Sequence, residues 1–105
     1  MAFDEDLKDR VMDLLIPFGD VTERKMFGGC GIFEAGAMFA LISGDHLYFK
    51  ADDSNRPEYE AMNSPQFGNM PYYRVPLDVL DDQPELHRLV EESVAAARAA
   101  RREKS

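Results

Sequence analysis

The sequence has no tryptophan, one cysteine and two histidines. A lone cysteine, Cys30, cannot close a disulfide within the chain, which points to a reducing, cytoplasmic setting. One cysteine with His46 and His87 far apart lacks the ligand spacing of a zinc site. Neither histidine lies near Cys30 in sequence to serve as the base that a cysteine nucleophile needs. No metal, cofactor or catalytic residue is therefore expected, and Cys30 reads more simply as a small strand residue. No apolar run approaches the roughly 18–20 residues of a membrane span. The start, Met1-Ala2-Phe3-Asp4-Glu5-Asp6, is acidic where a secretory signal would be basic and then apolar. Internal repeats and low-complexity linkers are absent, and 105 residues suit a single domain with one modest core.

Positive charge is also scarce. There are 12 basic against 20 acidic residues, a formal net charge of −8. Arg98, Arg101, Arg102 and Lys104 face only Glu103 after Ala97, so the tail is +3 and the preceding 97 residues carry −11. An acidic body repels nucleic-acid phosphates and anionic membranes. The tail itself either complements a helix dipole or touches nucleic acid or an acidic partner.

What is present is a folding composition, 45% apolar and 30% charged. Leu7, Val11, Leu14, Leu15 and Phe18 recur at helical spacing and predict a helix over Asp4–Ile16, ended by Pro17 and Gly19. Strands are expected at about Val21–Phe27, Cys30–Glu34, Ala37–Ile42 and His46–Lys50. Ala35-Gly36 and Gly44-Asp45 are hairpin links, so the strands form an antiparallel meander. A short helix near Asn55–Met62 follows. Pro71-Tyr72-Tyr73-Arg74-Val75-Pro76 reads as a strand at a sheet edge, because proline cannot donate to a ladder. A long helix over Gln83–Arg101 begins with Asp82 and Glu85 at capping-box spacing. The fold class is α/β of the α+β kind, an antiparallel meander flanked by an N-terminal and a long C-terminal helix.

Alternation puts Met38, Ala40 and Ile42 on one side of their strand and Phe39 and Leu41 on the other. Leu47 and Phe49 share a face, with Tyr48 opposite. A sheet apolar on both sides needs cover on both. The two long helices either take one face each or share one, and in the second case the other face is a partner or dimer surface.

Several residue groups invite a functional reading. Gly28-Gly29-Cys30-Gly31 suggests a phosphate cradle, but it lacks the lysine, hydroxyl and helix of nucleotide-binding loops. Gly28, Gly29 and Gly31 read better as a tight bend. Asp52-Asp53, Asp78 and Asp81-Asp82 suit turns and caps more than a cation site. Arg24, Lys25, Phe27, Tyr72, Tyr73 and Arg74 are the contact candidates, since arginine and aromatics are enriched at binding hot spots. Tyr72 and Arg74 would share a face, with Tyr73 opposite.

Arg24-Lys25-Met26-Phe27-Gly28-Gly29-Cys30-Gly31-Ile32-Phe33 followed by Gly36-Ala37-Met38-Phe39-Ala40-Leu41-Ile42 resembles the hallmark stretch of the amino-terminal domain of TfoX/Sxy-type competence regulators. Leu47-Tyr48-Phe49-Lys50-Ala51-Asp52, Met70 through Pro76 and Leu80-Asp81-Asp82 continue the resemblance in order, over roughly Leu7 to Ala97. It implies an α/β domain and a role in transcriptional regulation of competence, where the full-length regulators act with a cyclic-AMP receptor protein. Those regulators carry a second, carboxy-terminal domain, so this chain is expected to be a stand-alone domain over residues 1–105. The leading expectation is a non-catalytic regulatory or adaptor domain that binds a protein partner, with a homodimer possible. The alternative is a small-ligand or enzymatic domain using a pocket near the Gly28-Gly29 bend. A pocket lined by Arg24, Tyr72 or Tyr73 with a bound ligand would favour the alternative, and a flat apolar sheet face buried in a dimer the adaptor.

The charge distribution predicts that this chain alone does not bind DNA specifically. Four tail cations support at most a log-affinity slope against log salt of roughly −3 to −4. Fluorescence anisotropy with several promoter duplexes should show binding only at low salt and without sequence preference. Sub-micromolar, sequence-selective binding at physiological salt would overturn this.

Overall fold

The computed structural model describes residues 3–26 and 28–103. Helix α1 spans Glu5–Leu15. The Asp4 carboxylate caps it, accepting from the backbone N–H groups of Asp6 at 2.9 Å and Leu7 at 3.1 Å. Leu7, Val11, Met12 and Leu15 are its buried residues. Leu14 and Phe18 from the expected stripe are only half-buried. A short 3-10 turn, Ile16–Phe18, carries the chain past Pro17.

Five strands follow: β1 (Val21–Met26), β2 (Gly29–Glu34), β3 (Ala37–Ser43), β4 (His46–Lys50) and β5 (Tyr72–Val75). They lie in the order β1-β2-β3-β4-β5, and every adjacent pair is antiparallel. This is the expected meander, and β5 takes the expected edge. Ala35 (φ 50°) and Gly36 (φ 86°) are both left-handed, the conformation a two-residue hairpin needs to match strand twist. Helix α2 (Arg56–Ala61) lies between β4 and β5. A 3-10 turn at Leu77–Asp81, which the sequence reading left without an element, buries Leu80 and leads into α3 (Gln83–Glu103). The Asp82 carboxylate accepts from the Glu85 N–H at 3.3 Å at its start.

All three helices contribute to one core, on one face of the sheet. Val11 and Leu15 from α1, Tyr59 from α2, and Leu86, Leu89, Val90 and Ala97 from α3 meet Cys30, Ile32, Phe39, Ile42, Leu47, Phe49, Tyr73 and Val75 from the strands. Of the two arrangements that the strand patterning left open, the helices adopt the shared one. The opposite face has a separate, smaller cluster of Leu41, Tyr48 and Tyr72, covered in part by Phe67 and Met70 of the loop 63–71.

Strict alternation fails at one point. Ile32 pairs with Ala40 but Phe33 with Met38, so Phe39 is an extra residue bulged out of register. Phe39 therefore joins Ala40 and Ile42 in the helix-covered core, while Met38 moves to the side of Leu41. The expectation that Phe39 and Leu41 share a face is thus overturned. A bulge shifts the period-two pattern by one residue, and burying a phenylalanine under two helices favours that shift.

The glycines differ in what they do. Gly28 has φ 71° and turns the chain between β1 and β2, whereas Gly29 and Gly31 lie within β2. At Gly29 a side chain would bring its Cβ to within about 2.4 Å of the Ile42 carbonyl oxygen, an immovable backbone atom. Gly29→Ala should destabilise the fold by about 1–3 kcal/mol, the usual cost of overpacking. Gly44→Asn is the control, because Gly44 (φ 59°) has open space around it and asparagine tolerates that conformation. Urea unfolding should separate the two variants, and equal midpoints would refute the close-approach argument.

Candidate functional site

The face that the helices leave uncovered is the candidate site. The strand register aligns Arg24, Gly31, Leu41, Tyr48 and Arg74 in one row across all five strands. Directly opposed residues share a face, so Thr22, Phe33 and Met38 form a second row, and Lys50 and Tyr72 extend it at the far edge. Gly31 contributes no side chain to this face. The sulfurs of Met26 and Met38 and the Phe33 ring close over it, at 2.6, 3.2 and 3.2 Å from where a Cβ would stand.

Each cation of this face lies against a ring. The Arg24 guanidinium is 5.1 Å from the Phe33 centroid, the Lys50 ammonium 5.0 Å from Tyr72, and the Arg74 guanidinium 5.8 Å from Tyr48. Such contacts hold a cation over an apolar surface without neutralising it. Arg74 also donates to the Tyr48 hydroxyl at 3.4 Å, and the Tyr72 hydroxyl donates to the Met38 carbonyl at 3.1 Å. Burial pushes the Tyr72 phenol up to about 12, so it remains a neutral donor. The loop 63–71 closes the outer edge of β5, where Arg74 N–H reaches the Pro65 carbonyl at 2.9 Å and Phe67 N–H the Tyr72 carbonyl at 2.8 Å. Phe67 packs edge-on against Tyr48 at 5.1 Å.

Of the contact candidates, Arg24, Tyr72 and Arg74 share the open face, but the structure does not bring them together: Arg24 lies on β1 and the other two on β5, at the opposite end of the sheet. Tyr73 points the other way, as alternation requires, and stacks on Tyr59 at 5.7 Å in the core. Lys25 is exposed on the helix side, opposite Cys30 in register. Phe27 lies outside the described residues. The sequence reading did not name Met26, Phe33, Met38, Lys50, Phe67 or Met70 as contact candidates. A usable signal was available: every second strand position, taken from Arg24 and Tyr72 outward, is free of acid in an acidic chain.

Other candidates resolve into structural roles. Cys30 is fully buried, and burial raises its thiol pKa, which opposes thiolate chemistry. Among the described residues no three His, Cys, Asp or Glu side chains gather in a way that could hold a metal ion. Asp52 accepts from the Ser54 hydroxyl and N–H at 2.6 and 2.9 Å, which is turn chemistry. Two tail arginines are engaged within the molecule: Arg98 pairs with the buried Glu34 at 2.6 Å, and Arg101 donates to the Ala35 carbonyl at 3.0 Å. Clefts lie among the described residues. One of about 310 Å³ lies between Leu14, Phe18, Leu86 and His87. Another, of about 290 Å³, is lined by Gly36, Met38, Lys50, Tyr72 and Arg101. No described helix is long and apolar enough to cross a membrane.

One acid pair went unnoticed in the sequence because its members come from different helices. Arg88 contacts Glu58 of α2 and pairs with Glu85 at 2.6 Å and Glu92 at 3.3 Å on its own helix. A hydrogen bond from Arg88 holds Glu58 below the usual carboxylate range, whereas burial and the neighbouring Glu58 push Glu92 above it. Carboxylates pushed apart in this way occur in acid–base sites and also in structural ion-pair networks. Neither glutamate lines the clefts described above, so the pair acts in joining α2 to α3. The signs are opposite. Glu58 stabilises at neutral pH, and that contribution is lost as pH falls through its depressed value. Charged Glu92 costs stability at neutral pH, a cost relieved as pH falls through its raised value. Glu92→Gln should therefore melt at or above the parent at pH 7, with the gap closing on acidification, while Glu58→Gln melts below it. A Glu92→Gln protein that melts well below the parent at pH 7 would refute this assignment.

Comparison with known proteins agrees with the resemblance read from the strands and turns. DNA transformation protein TfoX1 of Aliivibrio fischeri is 30% identical over 61 residues, which are 58% of this chain and 29% of that protein. The matched part thus spans 29% of that relative's length. The model of the TfoX N-terminal domain matches residues 13–97, from the last turn of α1 to the last core residue of α3. The chain belongs to the TfoX N-terminal domain family.

Proposed function

We propose that this domain is a non-catalytic regulatory or adaptor module that acts by protein contact through its open sheet face, in the control of competence-related transcription. The observation that carries this reading is the uneven cover of the sheet. All three helices pack on one side, and the other keeps Arg24, Met26, Phe33, Met38 and Arg74 exposed or half-buried. Methionine, arginine and aromatic side chains are adaptable or rigid contact groups of the kind that protein interfaces enrich. Family membership and the name of the transformation protein from Aliivibrio fischeri support the pathway. The acidic body supports action through a partner over direct reading of DNA.

A photo-crosslinking residue placed at Thr22, exposed on the open face, tests this in the native host; Glu91, exposed on α3, is the control position. Thr22 should yield a discrete crosslinked protein that Glu91 does not. The double variant Arg24→Glu, Arg74→Glu should remove that crosslink and reduce natural transformation at unchanged protein level. Crosslinking independent of position, or full transformation by the double variant, would overturn the proposal.

A further inference from the structure

The open face is chemically unlike the rest of the molecule. The chain has 20 acidic and 12 basic residues. Yet none of the described residues that β1–β5 and the loop 63–71 place on this face is acidic. The strand carboxylates, Glu23 and Glu34, lie on the helix side: Glu23 is opposite Ile32, and Glu34 opposite Val21 and Ala37. Among the described residues neither Arg24 nor Arg74 has a carboxylate partner, whereas Arg10, Arg56, Arg88 and Arg98 all do. The Arg74 Nε–H is buried with no acceptor. In a chain so rich in carboxylates, two arginines held over rings in a field free of acid leave unmet charge on one surface.

Resting on the protein-contact reading above, we infer that this face binds an extended acidic segment of another protein, with carboxylates toward Arg24 and Arg74 and apolar side chains between them. The spacing follows from the register. Arg24 and Arg74 end one row across five strands, four strand spacings or about 19 Å apart, which an extended chain covers in about six residues. Met26, Phe33, Met38, Phe67 and Met70, all half-buried, supply the apolar contacts on the way. A second copy of this chain fits poorly, because a two-fold pairing of this face would bring its cations together. Single-stranded nucleic acid also fits poorly. Base stacking needs open rings, and here Tyr48 and Tyr72 are buried beneath the cations and the loop.

The test is selection of random 12-residue displayed peptides on the full chain, followed by anisotropy with the synthesised winners. Enriched sequences should carry two carboxylates about five or six positions apart with Leu, Met or aromatic residues between. Arg24→Glu and Arg74→Glu should each weaken binding at least tenfold, while far-UV melts confirm that both variants fold. Peptides with lysine in place of the carboxylates should regain affinity for the double variant. Enriched peptides that lack acids, or that ignore both charge reversals, would overturn the inference. If such peptides still shift the amide resonances of Phe33, Met38 and Tyr48, the protein-contact reading survives without it. If no selected peptide touches those residues, both fall. Tighter binding of a 15-mer oligothymidine that depends on Arg24 would assign the face to nucleic acid instead. Concentration-dependent dimerisation abolished by Arg24→Glu would assign it to a second copy.

Discussion

Burial of one sheet face beneath α1 and α3 is the constraint from which the remaining features follow. Leu89, Val90 and Ala97 of α3 and Val11 and Leu15 of α1 meet Phe39, Ile42, Leu47 and Phe49 in a continuous core. A chain of this size cannot build a second core of comparable depth. Placing both amphipathic helices on one side concentrates apolar burial there and leaves the reverse face to a single loop. The bulge at Phe39 serves the same end. It costs one ladder position, and it turns a large aromatic inward that regular pleating would have pointed away from the helices.

The same packing decides where the scarce cations go. Because α3 runs on past its last core residue toward the β2–β3 turn, Arg98 reaches Glu34 and Arg101 reaches the Ala35 carbonyl. Glu34 is buried at 6% exposure, so its charge needs that arginine. The basic tail, which the sequence offers as a dipole complement or as a contact for nucleic acid or an acidic partner, is thereby partly spent on anchoring the helix. Arg24 and Arg74, which have no carboxylate partner among the described residues, lie instead on the open face, over Phe33 and Tyr48.

The function proposed for this domain accordingly rests on a surface. The buried Cys30, the turn residue Asp52 and the paired Glu58 and Glu92 all have structural occupations. Gly31 shows how closely the fold and the surface are joined. Its missing side chain lets the Met26 and Met38 sulfurs and the Phe33 ring settle onto the sheet, making a smooth apolar floor between Arg24 and the β5 edge. The chain belongs to the TfoX N-terminal domain family, and the Aliivibrio fischeri transformation protein it resembles is more than three times the matched length.

The sequence by itself determined the elements and their order. Helical spacing of Leu7, Val11 and Leu15, the glycine links at Gly36 and Gly44, and the prolines around Tyr72-Tyr73-Arg74 each act locally, so a linear reading captures them. Alternation also placed Tyr73 opposite Tyr72 and Arg74, because β5 is regular. Three things were decided only in the folded molecule. The extra residue at Phe39 is chosen by the volume available under α3, which no strand pattern records. The choice of one shared face for the helices depends on which side each crossover takes, and both faces of the sheet are apolar enough for either. The arginine-over-ring contacts and the contacts of Glu58 with Arg88 and Glu92 join residues 9 to 34 positions apart. Distance along the chain carries no information about such contacts until the sheet register and helix packing are fixed.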